Sequence, residues 1–165
     1  MKPRIRHAQR GDVRLLLDLM NELAHHQGLH DEMVGTETRV LETLFCDNPK
    51  VEAILLEDDA HEAIGFAIFF HNYSTFSCQH GLYIEDLYVR ESHRERGYGK
   101  YLLSYLSDLG LSRGCAQVEL LCLDDNTVAM GFYKKLGAHA LDTWTVHKWT
   151  STQMEQLASL TKEKR

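Results

Sequence analysis

The stretch that decides the fold spans residues 83–100 and reads YIEDLYVRESHRERGYGK. It predicts a β-strand, then a short basic loop containing Gly97 and Gly99, then the start of a helix. A helix N-terminus presents unpaired backbone N–H groups and the positive end of the helix dipole, so it holds phosphate well. Glycines there allow close approach of the backbone to a ligand. The stretch therefore predicts an anion-binding loop, with the carboxylates of Glu85 and Asp86 just upstream of it.

Length and composition predict one folded domain over residues 1–165, because 165 residues with 44% hydrophobic content suffice for a core. No apolar run approaches the roughly 20 residues that a membrane span needs. The first residues lack the apolar segment of a secretory signal, so we expect a cytoplasmic protein without a membrane partner. The net charge of −6 argues against nucleic acid as a partner.

Histidine and cysteine patterns do not predict a metal site. The four cysteines are scattered and no two are separated by two residues, which favours reduced thiols. The segment 25–32 holds three histidines and two acidic residues, but Gly28 interrupts any helix that would align His26 with His30. We therefore expect a polar connection there and no bound metal.

Periodicity predicts five helices and six strands. The strands are expected around Ile5 and over residues 51–57, 63–73, 82–89, 117–123 and 143–149. The helices are expected to begin near Asp12, Thr36, the glycine loop, Asn126 and Thr152, the last with a capping box from Thr152 to Glu155. Val13, Leu16, Leu17, Met20, Leu23 and Ala24 give the first helix its apolar face. This order predicts an α+β (mixed α/β) domain.

The loop resembles the acyl-CoA pyrophosphate loop of the GCN5-related N-acetyltransferases, the GNAT superfamily. The resemblance is carried by Arg94-x-x-Gly97-x-Gly99, by Leu87-Tyr88-Val89 on the preceding strand, and by Asn126 seven residues before Tyr133. It implies a single GNAT-like domain with a central, mostly antiparallel twisted sheet, a β-loop-α acyl-CoA site and helices on both faces. It also implies acetyl-CoA as co-substrate, with no metal.

Within that superfamily the chain is most similar to the diamine (spermidine/spermine) and thialysine N-acetyltransferases. The similarity lies in residues 21–24, 69–75, 83–89 and 132–138. It implies transfer of acetyl from acetyl-CoA to a primary amine of a small molecule by direct attack in a ternary complex. It further implies a homodimer, in which the predicted strand 143–149 is a candidate for pairing across the interface.

Two side chains are expected to carry the chemistry. An alkyl ammonium has a pKa of about 10.4, so a carboxylate that binds it and accepts its proton favours attack on a thioester. Glu85 is the candidate because it lies on the strand next to the expected thioester position, and the resemblance implies the same role for it. Residues alternate faces along a strand, so only one of the two acids can serve, and Asp86 is expected to be a structural or capping partner. Tyr133 occupies the general-acid position of the resembling family, although a Phe-Tyr pair on an apolar helix is by spacing alone more often core.

The resemblance also implies the binding residues. Backbone and side chains that would contact acetyl-CoA are Leu87, Tyr88, Val89, Arg94, Glu95, Arg96, Gly97, Tyr98, Gly99, Lys100, Asn126, Thr127, Val128 and Ala129. Residues that would contact the amine are His26, Gln27, Glu85, Glu119, Leu120 and Leu121. One departure bears on the substrate, because Gln27 stands where the diamine enzymes carry a glutamate.

Two alternatives stay open from sequence. One is a GNAT enzyme that acts on a protein or peptide amine, which an open acidic groove would favour. The other is a non-catalytic acyl-CoA-binding module, which loss of Glu85 and Tyr133 would favour, although both residues are present. A dinucleotide-binding fold is disfavoured because the loop lacks a third glycine.

Overall fold

The computed structural model describes residues 3–162 and divides into an amino-terminal unit through Leu121 and a carboxy-terminal unit from Cys122. The strands are β1 (Arg4–His7), β2 (Glu52–Glu57), β3 (Ala63–Ser74), β4 (Gln79–Val89) and β5 (Gln117–Leu120). The helices are α1 (Val13–His26), α2 (Glu37–Leu44), α3 (Tyr98–Ser112), α4 (Thr127–Lys135) and α5 (Ser151–Lys162). All strands, with α1 to α3, belong to the amino-terminal unit.

The five strands form one sheet in the order β1-β2-β3-β4-β5. The pairs β1–β2, β2–β3 and β3–β4 are antiparallel, and the pair β4–β5 is parallel. A parallel pair needs a crossover connection, which α3 supplies between β4 and β5. The predicted α+β class, with a mixed and mostly antiparallel sheet, is confirmed.

The two faces of the sheet carry separate apolar clusters. The α3-side cluster packs Leu102 and Leu106 of α3 against Ile84 and Val89 of β4. The α1-side cluster packs Leu16, Leu19 and Leu23 of α1 against the other face. Because each helix buries one stripe on one face, helices cover both faces as predicted. Leu19 was missed in the predicted apolar face of α1, whereas Leu17 and Met20, which were included, are not fully buried.

A buried ion-pair cluster fixes β1 to the turn that precedes α1. Arg6 donates to the Glu57 carboxylate at 2.5 Å and forms two hydrogen bonds with Asp12, at 2.7 and 2.9 Å. The Arg6 hydrogen bond holds the pKa of Asp12 below its usual value. Asp12 directly precedes α1, as predicted, but its carboxylate accepts from the Gln9 backbone N–H at 2.7 Å instead of capping α1.

The carboxy-terminal unit corrects two sequence predictions. Residues 143–149, predicted as a strand, form no strand in the structure. Their alternating pattern satisfies a strand only when a neighbouring strand supplies hydrogen bonds, which local sequence cannot provide. The predicted capping box at Thr152 lies two residues too late, because Thr150 Oγ1 accepts from the Gln153 N–H at 3.5 Å and the Gln153 side chain accepts from the Thr150 N–H at 2.8 Å.

Candidate active site

A β-bulge in β4 lies at the centre of the site. Ile68 of β3 pairs with Asp86 and its neighbour Phe69 pairs with Ile84, so Glu85 is the extra residue. A bulge of this kind shifts the alternation of side chains by one position. Accordingly, Ile84 and Leu87 both pack on the α3-side cluster although they are three residues apart.

The bulge corrects the expectation that Glu85 and Asp86 point to opposite faces. Asp86 pairs with Ile68, and Ile68 belongs to the α1-side cluster. Glu85 follows Ile84, which faces the α3 side, so its side chain also emerges toward the α1 side. An unbroken strand would separate the two carboxylates, whereas the bulge brings them to one face.

A third carboxylate shares that face. Glu119 of β5 is the register partner of Tyr83, and Tyr83 in turn pairs with Phe70. Paired residues of neighbouring strands present their side chains on the same face. The rings of Phe70 and Tyr83 lie 4.9 Å apart, tilted by 33°. We call Glu85, Asp86 and Glu119, together with Tyr83, the acidic face.

The charges of the acidic face act on one another. Burial, and secondarily the charge of Glu85, raises the pKa of Asp86 to about 6. Burial, followed by the charges of Glu85 and Glu119, raises the pKa of the Tyr83 phenol. None of the ion pairs among residues 3–162 involves a carboxylate of this face. Such a concentration of negative charge without a protein cation is suited to binding a positively charged group.

Asn72 is a member of the site that the sequence prediction missed. Its side-chain amide donates to Glu119, and its Oδ1 is buried without a hydrogen-bond partner among the described residues. Gly81 makes room for this side chain, since a Cβ at position 81 would lie 2.3 Å from Asn72 Oδ1. Asn72 therefore orients the Glu119 carboxylate on the acidic face.

The loop between β4 and α3 has the features of a phosphate site. Gly97 precedes α3 with φ +83°, and no atom lies within 4 Å of the position that its Cβ would take. Glu95 also has a left-handed backbone, with φ +62°, at a cost of about 1–2 kcal/mol for a non-glycine residue. The first turn of α3 leaves the backbone amides of Tyr98, Gly99 and Lys100 without helical partners.

The side chains of the loop are directed by specific contacts. Arg94 Nε donates to the Val89 carbonyl at 2.9 Å, and its guanidinium lies 5.6 Å from the centre of the Tyr88 ring. Arg96 donates to the Ser92 carbonyl at 3.1 Å. The loop carbonyls thus hold both arginines close to the backbone amides, where their charge complements an anion.

The carboxyl end of α1 contacts both the end of β4 and this loop. Arg90 forms a bidentate pair with Glu22, with the shortest N–O distance at 2.7 Å. The Tyr88 hydroxyl also lies 3.5 Å from the Glu22 carboxylate. His26, which is predicted to contact the substrate, lies 3.1 Å from Arg94 in the loop. Gln27 follows α1, where its backbone N–H donates to the Leu23 carbonyl.

Several predicted residues of the sheet serve packing in this structure. Val89 and Tyr88 are buried on opposite faces, and Leu87 is partly buried against the α3-side cluster. Leu120 packs on that same cluster, which is the face away from the acidic face. Leu121 is 65% exposed. Glu119 is therefore the member of the predicted trio 119–121 that reaches the acidic face.

The carboxy-terminal unit holds the other predicted residues. Asn126 precedes α4, and its side-chain oxygen accepts from the Ala129 backbone N–H at 3.1 Å. Thr127 begins α4, and Val128 is exposed. Tyr133 stands beside Phe132 on this helix, and burial raises the pKa of its phenol to about 12. A phenol with that pKa stays protonated at neutral pH, as a proton donor must.

Residues 3–162 contain no helix that is long and apolar enough to cross a membrane. Within the same range, no three histidine, cysteine, aspartate or glutamate side chains converge on a position that would hold a metal ion.

Comparisons with known proteins agree with the geometry. The model of the Acetyltransferase (GNAT) family matches residues 17–138. The thialysine N-epsilon-acetyltransferase of Bos taurus is 29% identical, over 93% of this chain and 96% of its own length. The L-ornithine N5-acetyltransferase NATA1 of Arabidopsis thaliana is 28% identical, over 97% and 90%.

A solved structure supports the fold. An integron cassette protein from the mobile metagenome of V. cholerae superposes with a TM-score of 0.79 at 20% identity, over 96% of this chain and 98% of that one. The strand-loop-helix site and the family match over most of the chain point to the same class of enzyme. The chain therefore belongs to the GNAT family and is an acetyl-CoA-dependent N-acetyltransferase.

Proposed function

We propose that the chain transfers acetyl from acetyl-CoA to a primary amine of a small molecule, namely a diamine, a polyamine or a lysine analogue such as thialysine. The observation that carries this proposal is the acidic face, where Glu85, Asp86 and Glu119 lie on one side of the sheet. Substrates with two cationic nitrogens suit a face with three carboxylates, because one carboxylate engages the reacting nitrogen and another the distal one. The names of the bovine and plant relatives, which specify thialysine and ornithine, support the same class.

Glu85 is the proposed acceptor of the substrate proton. The reacting ammonium must lose a proton before its nitrogen attacks the thioester carbonyl, and a carboxylate beside it takes that proton directly or through water. Asp86 lies on the same face, and burial together with the charge of Glu85 raises its pKa to about 6, so Asp86 holds its proton more strongly than an ordinary aspartate does.

The chain's own residues divide the remaining work. The backbone amides from Glu95 to Lys100 and the charge of Arg94 and Arg96 would hold the pyrophosphate of acetyl-CoA, and Asn126 to Ala129 would bind its distal part. The donor supplies the acetyl group as an activated thioester. Tyr133 would donate its phenolic proton to the departing thiolate, so no covalent acyl-enzyme is needed.

The experiment is a turnover assay that follows thiol release from acetyl-CoA over a panel of amines. We expect turnover with short diamines or thialysine and much less with simple monoamines. A peptide panel is run beside it, and acetylation of peptides with no turnover of the small amines would overturn the proposal. Glu85→Gln should lower kcat/KM for the amine, while Glu42→Gln, an exposed substitution on α2, is the matched control.

Tyr133→Phe tests the second chemical role. Loss of the phenolic proton should lower kcat at least tenfold, which corresponds to about 1.4 kcal/mol of barrier. Tyr101→Phe removes the hydroxyl of a partly exposed tyrosine on α3 and serves as the control. An unchanged kcat in Tyr133→Phe would contradict the role of proton donor.

We also propose that the enzyme is a cytoplasmic homodimer. Support comes from the carboxy-terminal unit, where Trp144, Trp149 and Leu157 expose half or more of their surface. Trp149, Met154 and Leu157 line an open apolar depression on the surface of that unit. Contiguous apolar surface of this kind marks an interaction site, and a second copy of the chain is the partner that we propose.

A further inference from the structure

His26, the last residue of α1, connects that helix to the side chain of Arg94. Its Nδ1 lies 3.1 Å from Glu91 Oε1, and its Nε2 lies 3.1 Å from Arg94 Nη1. Both partners belong to the loop that follows β4, and Arg94 also lies 3.7 Å from Glu91. His26 thus lies between the carboxylate of Glu91 and the guanidinium of Arg94.

The partners of His26 determine which of its ring nitrogens donates and which accepts in this arrangement. Arg94 has N–H donors and no acceptor, so the nitrogen that faces it must accept a hydrogen bond. Ionised Glu91 accepts hydrogen bonds only, so the nitrogen that faces it must donate. The neutral imidazole with its proton on Nδ1 satisfies both contacts, whereas the imidazolium would direct an N–H at the Arg94 guanidinium.

The other contacts of Arg94 involve its Nε atom and one face of its guanidinium, whereas His26 contacts Nη1. Nε donates to the Val89 carbonyl at 2.9 Å, which anchors the inner end of the side chain at the close of β4. The Tyr88 ring, 5.6 Å from the guanidinium carbon, covers one side of the group. The contact with His26 at Nη1 is therefore the one that joins Arg94 to a different element of the fold.

We propose that His26 is a positioning residue for Arg94, and that its protonation weakens acetyl-CoA binding. The inference rests on the proposed function, in which Arg94 contributes charge to the pyrophosphate loop. His26 acts through Arg94 and needs no contact with the amine, in contrast to the substrate role that the sequence predicts. Protonation of His26 would remove the acceptor that faces Arg94 Nη1, and acetyl-CoA would then bind more weakly.

The charged groups around His26 support this direction. Glu91 attracts the imidazolium, while Arg94 repels it and loses its acceptor, so protonation transfers Glu91 toward His26 and away from Arg94. Glu22, one turn earlier on α1, is already paired with Arg90 at 2.7 Å. The nearby His25 and His30 contact each other, with their ring centres 5.8 Å apart. His30 also lies 3.0 Å from Asp31.

The test is the dissociation constant of acetyl-CoA, measured by titration calorimetry at pH 8 and at pH 5.5 on the full chain. His26→Ala should bind about three- to tenfold more weakly at pH 8, which is the usual effect of losing one hydrogen bond. His26→Gln retains a donor and an acceptor but does not titrate, so it should bind like the wild type at pH 8. It should then bind more tightly than the wild type at pH 5.5.

The design separates His26 from other titrating groups. Ligand phosphates titrate near pH 6, and His93 lies in the same loop, but both are present in every protein compared. The effect is therefore the difference in pH dependence between wild type and His26→Gln. His30→Ala is the matched control and should leave acetyl-CoA binding unchanged at both pH values.

Kinetics provide a second readout. His26→Ala should raise the KM for acetyl-CoA and leave kcat within twofold, because the chemical groups are untouched. A raised KM for the amine with an unchanged dissociation constant for acetyl-CoA would overturn the proposal in favour of a substrate role. Equal pH dependence in wild type and His26→Gln would also overturn it. Failure of the wild type to bind acetyl-CoA would instead count against the proposed function.

Discussion

The two units of the chain differ most in what they bury. The buried core residues of the described chain all lie in the amino-terminal unit, on the two faces of one sheet. In the carboxy-terminal unit, α4 and α5 contain regular hydrogen bonds, but Trp144, Trp149 and Leu157 remain half or more exposed. The first unit therefore buries its apolar side chains on its own sheet, whereas these large apolar side chains of the second remain exposed.

The largest expected effect tests the self-sufficient packing of the amino-terminal unit. Phe69 is fully buried in the α3-side cluster, so Phe69→Ala should lower the free energy of unfolding by about 3–5 kcal/mol. Phe76 is 89% exposed, and Phe76→Ala should change the free energy of unfolding by less than about 0.5 kcal/mol. Chemical denaturation measures both, and similar losses in the two variants would show that the core is assigned wrongly.

The buried charge of Asp86 on the acidic face lowers the stability of the amino-terminal unit. The pKa of Asp86 is raised from 3.8 to about 6, so the unfolded chain releases this proton first and stability falls as pH rises from about 4 to 6. Asp86→Asn should therefore raise the free energy of unfolding by roughly 2–3 kcal/mol at pH 8 and leave it unchanged at pH 3.

Denaturation at several pH values measures this difference, with the exposed Asp31→Asn variant as control. A gain from Asp86→Asn that is equal at pH 3 and pH 8 would show that it does not come from the buried charge.

The carboxy-terminal unit is tested by self-association. If a second copy covers its apolar surface, Trp149→Ala should weaken dimerisation by about 2 kcal/mol, roughly 30-fold in the dissociation constant. Leu111 is 74% exposed on α3, and Leu111→Ala should leave association unchanged. Analytical ultracentrifugation measures both, and a monomeric wild type at all concentrations would rule out the dimer.

The smallest effects concern the loop, where two residues have left-handed backbones. Substitutions at these two residues should change the free energy of unfolding in opposite directions. Gly97→Ala should lower the free energy of unfolding by about 1–2 kcal/mol, because a Cβ is disfavoured at φ +83°. Glu95→Gly should raise it by about 0.5–1 kcal/mol, because strain at φ +62° is relieved. The same denaturation assay measures both, and changes of equal sign would contradict the backbone argument.

Local sequence predicts the elements of the amino-terminal unit well, because hydrophobic periodicity and turn residues act over a few positions. Thr36 begins α2 as predicted, and the glycine loop leads into α3. The predicted strand at 143–149 is wrong because strand formation depends on a partner that is distant in sequence or belongs to another chain.

The site was partly predictable for a similar reason. Glu85 and the loop could be found because they form one continuous stretch. Asn72 and its contact with Glu119 depend on strand register, which brings together residues 47 positions apart. The bulge does leave a signal in the sequence. The apolar residues Leu82 and Ile84 occupy even positions and Leu87 and Val89 odd ones, so the strict alternation of an unbroken strand fails between the two pairs.

The extra residue in β4 also constrains how this enzyme can change during evolution. Deleting one residue between Ile84 and Leu87 would restore an uninterrupted ladder with β3 and leave a single β4 carboxylate beside Glu119 on the α1 side. The loss would remove local negative charge without altering the glycine loop. If the acidic face binds the amine and the glycine loop binds acetyl-CoA, as we propose, such a deletion changes the choice of amine and leaves the choice of donor as it was.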